Sequence, residues 1–240
     1  MPEGARPIGR RVVVGSLGIA AAGILFGDRI QRGLEKVLLP VTLHDPTGLT
    51  GLLPAAGRFR IYSVTTSLPQ RSKTLYQLKV GGLVERPMTL RYRDLTERLP
   101  QTSLHRDFQC VTGWRVSDVA WSGVALADVL DAAGVTPHAT RVRFHSFDGT
   151  YTESLSLAQA RRRDVLIAHT MDGKPVSREH GGPVRMYVAP MYGYKSLKWL
   201  DRIELVDHLG PDGGGYWETR GYDLDGWVGR SNGGHEAPTS

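Results

Sequence analysis

A chain of 240 residues that is 40% hydrophobic and 22% charged suits one compact domain with a sizeable core, with room left for a second small piece. Its formal charge of +6 comes with no helix-turn-helix, zinc-finger or RNA-recognition pattern, so the basic excess reads as solvated surface or a cationic pocket, not a nucleic-acid interface. The single cysteine, Cys110, excludes an internal disulfide and a cysteine-rich zinc site.

In chain order, residues 1–28 read as an export signal or membrane anchor. Arg6, Arg10 and Arg11 precede the apolar run Val12 to Phe26, and Asp28 and Arg29 close it. That run is shorter than the roughly 20 residues of a spanning helix and fits a signal peptide. The Arg10-Arg11 pair suggests a twin-arginine route, which carries proteins already folded around a cofactor. Residues 29–57 read as a short amphipathic helix (Ile30, Leu34, Val37 and Leu38 on one side) and a Pro/Gly-rich linker.

The globular domain is expected over 58–230, followed by a polar, disordered tail over 231–240. Strands are expected over Arg58 to Val64 and Leu75 to Val80, with Gly81-Gly82 ending the second. Arg93 to Leu99 reads as a helix closed by Pro100, and Phe108 to Val111 as a buried strand turned by Thr112-Gly113. Leu126, Val129, Leu130 and Ala133 fall at helical spacing, with Gly134 as the stop. Arg141 to Phe147, Val165 to Ala168, Val184 to Ala189 and Ile203 to Val206 read as further strands. The basic run Arg161-Arg162-Arg163 is placed on a solvated helix end. Short helices scattered among many strands indicate an α+β fold with mixed sheets.

Three segments could carry chemistry. Cys110 lies at the end of an apolar strand, before a glycine turn, where a side chain can be presented to a cleft. A buried small hydrophobe is the default for a lone cysteine. In an exported protein, however, an idle thiol is a liability that a metal bond would remove. In Arg178-Glu-His-Gly-Gly-Pro-Val-Arg185, a tight turn sets His180 and Arg185 on either side of Gly181-Gly182-Pro183, a suitable place to hold a phosphate. In Met191-Tyr-Gly-Tyr-Lys-Ser-Leu-Lys-Trp199, Lys195 and Lys198 flank Ser196-Leu197 and form a possible anion-binding concavity. Each of the last two, taken alone, equally suits a basic surface loop.

Together these segments, with Trp121-Ser-Gly-Val-Ala-Leu126 and Asp128-Val-Leu130, resemble the molybdopterin-binding domain of sulfite oxidases and their bacterial stand-alone relatives. The relatives include the periplasmic methionine-sulfoxide reductase catalytic subunit, and the resemblance runs from about Arg58 to Arg230. It implies a sulfite-oxidase-type fold and a molybdenum–molybdopterin cofactor whose metal is bound by the Cys110 thiolate. It also implies that His180, Arg185, Lys195 and Lys198, with Ser196 and Leu197, hold the pterin and its phosphate. Ser146 or Asp148, and the early-loop residues Ser63, Thr66 and Ser67, are implied as further pterin contacts. His169 stands where the eukaryotic enzymes line the substrate site with a tyrosine, and Arg115 is placed to meet an anionic substrate.

The activity implied is two-electron oxygen-atom transfer at a sulfur substrate, a sulfite or a sulfoxide, outside the cytoplasm. Electrons would pass through a separate partner such as a membrane cytochrome, since the sequence shows neither haem nor iron–sulfur motifs. Two other readings stay open from the residues alone. One is an exported, non-catalytic binding module with Cys110 structurally buried. The other is a cysteine hydrolase pairing Cys110 with His145 or His169.

Overall fold

In the computed structural model the chain is described over residues 59–111, 115–210 and 214–229. The expected export segment, the Asp28–Leu39 helix, the linker, the Thr112-Gly113 turn and the C-terminal tail lie outside the described residues. Two compact units are present. One comprises, among the described residues, Phe59, Cys110, Val111, Arg115 and Val116. The other holds residues 60–109 and 117–229.

The larger unit is built on two sheets. In the first, the order is β2 (Met88–Arg91), β1 (Gln77–Gly82), β10 (Leu200–Val206), β5 (Arg141–Ser146) and β6 (Thr152–Ser156). The β1–β10 pair is parallel and the other pairs are antiparallel. Alternate residues of these strands point inward: Leu78 and Val80, Ile203 and Leu205, Val142 and Phe144 are all buried.

The second sheet runs β3 (Thr102–Gln109), β4 (Arg115–Ala125), β7 (Val165–Met171) and β8 (Lys174–Pro175), with β9 (Arg185–Val188) also paired to β7. Flanked by β4 on one side and β9 on the other, β7 buries Val165 to Ala168 without alternation, as a central strand does. Asp172 and Gly173, both at positive φ, turn β7 into β8.

Helix α1 (Leu126–Ala133) lays Leu126, Val129, Leu130 and Ala133 into the core shared with both sheets. Burying each leucine is worth about 1.5–3 kcal/mol. Gly134 ends the helix in the left-handed conformation, donating its N–H to the Leu130 and Asp131 carbonyls. The four-residue α2 (Leu157–Ala160) is started by a capping box between Ser156 and Gln159. The run Arg161–Arg163 follows it and pairs with Asp131, Asp164 and Asp128 at the surface.

The strand expected over Arg58 to Val64 is not formed in its described part. There the carbonyl of Tyr62 accepts from the Lys198 side chain instead of joining a ladder, and just beyond it the Leu68 and Pro69 carbonyls accept from Arg178. The helix expected over Arg93 to Leu99 is a π-helical turn, Asp94–Arg98, and the strand expected at Phe108 to Val111 is the end of β3. β2, β4 and β6 were not expected from the sequence, while α2 is a helix at whose end the run Arg161–Arg163 was expected.

The β4–β7 register shifts between Ser122 and Gly123, where the two backbones close up until a Cβ on Gly123 would fall on the Ile167 carbonyl oxygen. Gly123→Ala is therefore expected to lower unfolding stability by roughly 1–3 kcal/mol, the usual cost of overpacking. Urea unfolding with an unchanged m-value checks this.

Candidate functional site: a buried cationic cluster between two glycine-bearing loops

The turn before β9 begins with three backbone bonds to the Ser177–Arg178 stretch: His180 N–H and Gly182 N–H donate to the Ser177 carbonyl, and Gly181 N–H donates to that of Arg178. Gly181 has φ +98, and a Cβ there would lie 2.7 Å from Cβ of Lys198. Glycine is thus required twice over, by conformation and by the close passage of Lys198. The Gly182–Pro183 bond is cis.

Opposite this turn runs the loop 193–199, opened by a 3₁₀ turn over Gly193–Lys195. Gly193 rests against Phe108, with a Cβ there only 2.5 Å from the ring. Trp199 adopts φ +53, a strained conformation for a bulky residue. It is held by its N–H to the Gly181 carbonyl at 3.0 Å and its indole N–H to the Arg178 carbonyl at 2.9 Å.

Arg185 joins the two loops. Its Nη1 donates to the His180 carbonyl and its Nη2 to the Ser196 carbonyl, both at 2.7 Å, while Nε donates to Met186 O at 3.1 Å. The residue is 2% exposed, and among the described residues no carboxylate lies within ion-pair distance of it. Its guanidinium faces the Trp121 ring, which stacks on Tyr187.

Lys198 donates from Nζ to the carbonyls of Tyr62 (2.9 Å) and Glu179 (2.8 Å), which fastens the early loop to the same place. Burial, then the nearby Arg185 guanidinium, pushes Lys198 down to about 7. Burial, Arg185 and Lys198 together push His180 down to about 4. Burial takes Arg185 itself down to about 10. Burial depresses all three groups, and Arg185 adds to it at Lys198 and His180, so the cluster suits an anion.

Next to Trp199, Phe147 N–H donates to the Trp199 carbonyl and sets the turn after β5 alongside. In that turn Asp148 Oδ1 accepts the N–H groups of Thr150 and Tyr151, both at 2.8 Å. Its buried Oδ2 has no hydrogen-bond partner among the described residues. Ser146 Oγ accepts the Asp148 N–H at 3.1 Å. The turn can therefore offer one carboxylate oxygen to a donor-rich ring system. Ser63 Oγ accepts the Thr65 N–H at 3.2 Å, and Thr65 Oγ1 donates to Ser67 O at 2.9 Å, which shapes the early loop; Thr66 and Ser67 are exposed.

The structure thus gathers His180, Arg185, Ser196, Leu197 and Lys198 in two adjoining loops, with the early loop fastened to Lys198 and the Ser146–Asp148 turn beside Trp199. Two expected members stand elsewhere. Lys195 is fully buried, and its three N–H groups are taken by Glu153, Glu218 and the Leu224 carbonyl, so none is left for a phosphate. His169 lies at the register shift between β4 and β7, and its ring is engaged away from the two loops, by Gln101 and Thr170.

The ring of His169 donates from Nε2 to Gln101 Oε1 at 2.8 Å. The Gln101 amide in turn donates to the Leu95 and Leu99 carbonyls, so the histidine braces the π-helical turn. Burial, with a smaller contribution from Lys73, holds this histidine below its ordinary value and keeps it neutral.

Cys110 is a half-buried cysteine, in no disulfide, directly after β3, and belongs with Arg115 to the smaller unit. Among the described residues no three His, Cys, Asp or Glu side chains gather as metal ligands. A metal at Cys110 would thus draw its other ligands from outside those side chains. The buried cationic cluster and the buried, unpartnered Asp148 Oδ2 fit a cofactor that has a phosphate at one end and a nitrogen-rich ring at the other. Sequence reasoning missed Glu153 and Glu218, which gave no motif signal.

Because Lys198 is depressed in the folded protein, the fold binds fewer protons than the unfolded chain between about pH 7 and the ordinary lysine range. Stability from this group therefore rises with pH across that window and is lowest below pH 7, where the ammonium is charged. A bound anion favours the charged form. Inorganic phosphate should thus bind cofactor-free protein with proton uptake at pH 8, and more tightly at pH 6.5 than at pH 9 after allowance for its own ionisation. Calorimetry in buffers of different ionisation enthalpy measures this, and Gly181→Ala or Lys198→Met should remove the uptake.

Comparison with known proteins identifies the family of the chain. Residues 65–213 match the family model of the oxidoreductase molybdopterin binding domain. The chain is 35% identical over 173 residues to an uncharacterized oxidoreductase, YuiH, of Bacillus subtilis, covering 68% of this chain and 85% of that one. It is 33% identical to a sulfite oxidase of Arabidopsis thaliana, covering 65% of this chain and 44% of the relative. It is 31% identical to the protein-methionine-sulfoxide reductase catalytic subunit MsrP of Gluconobacter oxydans, covering 57% and 48%. The chain therefore spans less than half the length of these last two.

Among solved structures, the sulfane dehydrogenase SoxCD of Paracoccus pantotrophus has a similar fold, with TM-score 0.54 and 24% identity over 62% of this chain and 46% of that one. The family match covers more than half of the chain, and the α+β architecture of mixed sheets agrees with it. This chain belongs to the family of oxidoreductases with a molybdopterin-binding domain, and is a molybdopterin-dependent oxidoreductase.

Proposed function

We propose that this oxidoreductase carries out two-electron oxygen-atom transfer at the sulfur of a small substrate, a sulfite or a sulfoxide, outside the cytoplasm. The observation that carries the reading is Arg185, a buried guanidinium with no carboxylate beside it among the described residues, in a cluster with Lys198 and His180. A buried charge without a counterion is costly, and a phosphate bound there removes the cost.

In this reading His180, Arg185 and Lys198 hold the phosphate end of the cofactor, with the Ser196–Leu197 backbone beside them. The Asp148 Oδ2 atom accepts from the pterin, Ser146 keeps that turn in shape, and the loop of Ser63, Thr66 and Ser67 flanks Lys198. The Cys110 thiolate is the protein's ligand to molybdenum. When bound, the cofactor supplies the two-electron oxygen-transfer chemistry; the protein supplies placement and electrostatics. Arg115 is the residue assigned to the substrate oxyanion, since a guanidinium offers paired donors to it. Electrons pass through a separate protein, for which a membrane cytochrome is the candidate.

The substrate class is supported by the named activities of the Arabidopsis and Gluconobacter relatives. The location outside the cytoplasm rests on the Arg10-Arg11 pair and the apolar run that follows it. Among the described residues, no helix is long and apolar enough to cross a membrane.

Purified full-length protein should contain near-stoichiometric molybdenum. It should oxidise sulfite or reduce methionine sulfoxide with an artificial electron dye. Cys110→Ala should reduce that activity to background with little change in thermal midpoint, and Arg185→Ala should weaken cofactor retention about 10- to 100-fold, the worth of a charge-assisted bond. Molybdenum-free protein would overturn the assignment in favour of a non-catalytic binding module, and an active Cys110→Ala variant would overturn the role given to Cys110.

A further inference from the structure

Below the candidate site lies a second charged cluster that the proposed function does not use. Lys195 Nζ donates to Glu153 Oε1, to Glu218 Oε1 at 2.8 Å and to the Leu224 carbonyl at 2.8 Å. The side chains of Lys195 and Glu153 are fully buried and that of Glu218 is 4% exposed. Two carboxyls thus share one ammonium in an enclosed place.

With both ionised the cluster would carry a net negative charge, which burial disfavours, whereas one retained proton makes it neutral. The second oxygens, Glu153 Oε2 and Glu218 Oε2, have no hydrogen-bond partner among the described residues, while both first oxygens converge on the one ammonium. A carboxyl–carboxylate pair sharing a proton meets both requirements. Burial first, then the nearby Glu218, holds Glu153 protonated well above the ordinary carboxylate range, against the pull of Lys195.

The cluster bridges two parts of the chain. Lys195 precedes Ser196–Lys198 in the cofactor loop, while Glu218 and Leu224 belong to the segment 214–229. Further bonds cross the same junction in both directions. Tyr194 Oη donates to the Asp223 carbonyl at 2.6 Å, Tyr192 N–H donates to Gly226 O at 2.8 Å, and Gly229 N–H donates to Tyr192 Oη at 3.1 Å. Gly226, at φ +65, leaves room for the Lys195 stem, whose Cγ would lie 2.5 Å from a Cβ there. Gln159 anchors the far side through Asp225 at 2.9 Å.

We propose that Lys195 is a positioning residue: with Glu153 and Glu218 it forms a one-proton knot that bolts the segment 214–229 to the cofactor loop and so fixes where Ser196 and Lys198 stand. The loop's role as a cofactor loop rests on the function proposed above; the knot itself does not. The groups facing Glu153 are Ser154 on its own strand, Lys195 and Tyr194 from the loop, Glu218 and Asp223 from the C-terminal segment, and Tyr151. The hydroxyls of Tyr151 and Tyr194 are both committed to backbone carbonyls, and Arg220 lies over Tyr216. Lys195 is therefore the cation in contact with the pair.

The fold binds one more proton than the unfolded chain from the ordinary carboxylate range up to the raised value. The knot's contribution is thus fully present below the ordinary carboxylate range, declines as pH rises from there to the raised value, and changes no further above it. Hydrogen exchange on the full-length chain, cofactor-free and loaded, corrected for intrinsic rates, reads this at residues 194–198 and 216–222. Wild-type protection should fall about tenfold per pH unit between the two values, one linked proton's worth, and level off above them. Glu218→Gln and Glu153→Gln each leave one carboxylate for one ammonium, so both variants should fold and show a flat pH profile in both segments.

Lys195→Met should lower protection in both segments at every pH and reduce cofactor retention. A wild-type profile as flat as that of Glu218→Gln, or a Lys195→Met variant with wild-type protection, overturns the proposal. A Glu218→Gln variant with the flat profile, in a protein that binds no molybdenum, would uphold the knot and sink the proposed function alone.

Discussion

The site depends on a guanidinium that has no acid to pair with. Arg185 is buried on β9 and spends its donors on the carbonyls of His180, Met186 and Ser196, so two loops eleven residues apart in sequence are fixed to one side chain. A neutral side chain of the same length could pack there but could not hold both carbonyls. The charge brings a cost, because no carboxylate neutralises it among the described residues. That cost makes the cluster of Arg185, Lys198 and His180 an anion site and not merely a clamp. The same residue therefore shapes the cavity wall and sets its electrostatic demand.

Everything that positions Arg185 is ordinary sheet packing. Its partner Ala168 lies in a strand paired on both sides, and its ring neighbours Trp121 and Tyr187 are stacked 4.5 Å apart. Glycine does the rest. Gly181 lets Lys198 pass, Gly193 lets the loop rest on Phe108, and Gly226 makes room for Lys195. These positions adjoin the cationic loops, so an added methyl group at any of them would act on the site before it acted on the core.

Elements whose pattern has a single reading were legible in the sequence. Helix α1 has its apolar residues at helical spacing and a glycine stop, and β1, β5, β7 and β10 have clear alternation or a short apolar run. What was missed was polar or long. β6, Thr-Glu-Ser-Leu-Ser, reads as a surface turn because its Glu153 and Ser154 are buried by partners distant in sequence. β4 was hidden by the glycine and tryptophan positions that had been set aside as motif. In the described part of the early segment, read as a strand from its alternation, the Tyr62 carbonyl is claimed by the Lys198 side chain, a tertiary competition that no local pattern records.

The two lysines of the loop show most plainly where local reading stops. Lys195 and Lys198 are three apart beside a 3₁₀ turn, and in a continued 3₁₀ helix they would lie one above the other, aimed at one ligand. The turn ends at Lys195: Ser196 sits at φ −92, ψ 70 and Trp199 crosses into positive φ. That break divides the pair, with Lys195 turned inward to two carboxyls and Lys198 turned toward Arg185 and the early loop. Two like charges that a sequence motif assigns to one phosphate are thus separated by two residues of irregular backbone. One is satisfied by the protein itself, and the other is depressed to about 7 and poised to be recharged by whatever anion the cluster holds.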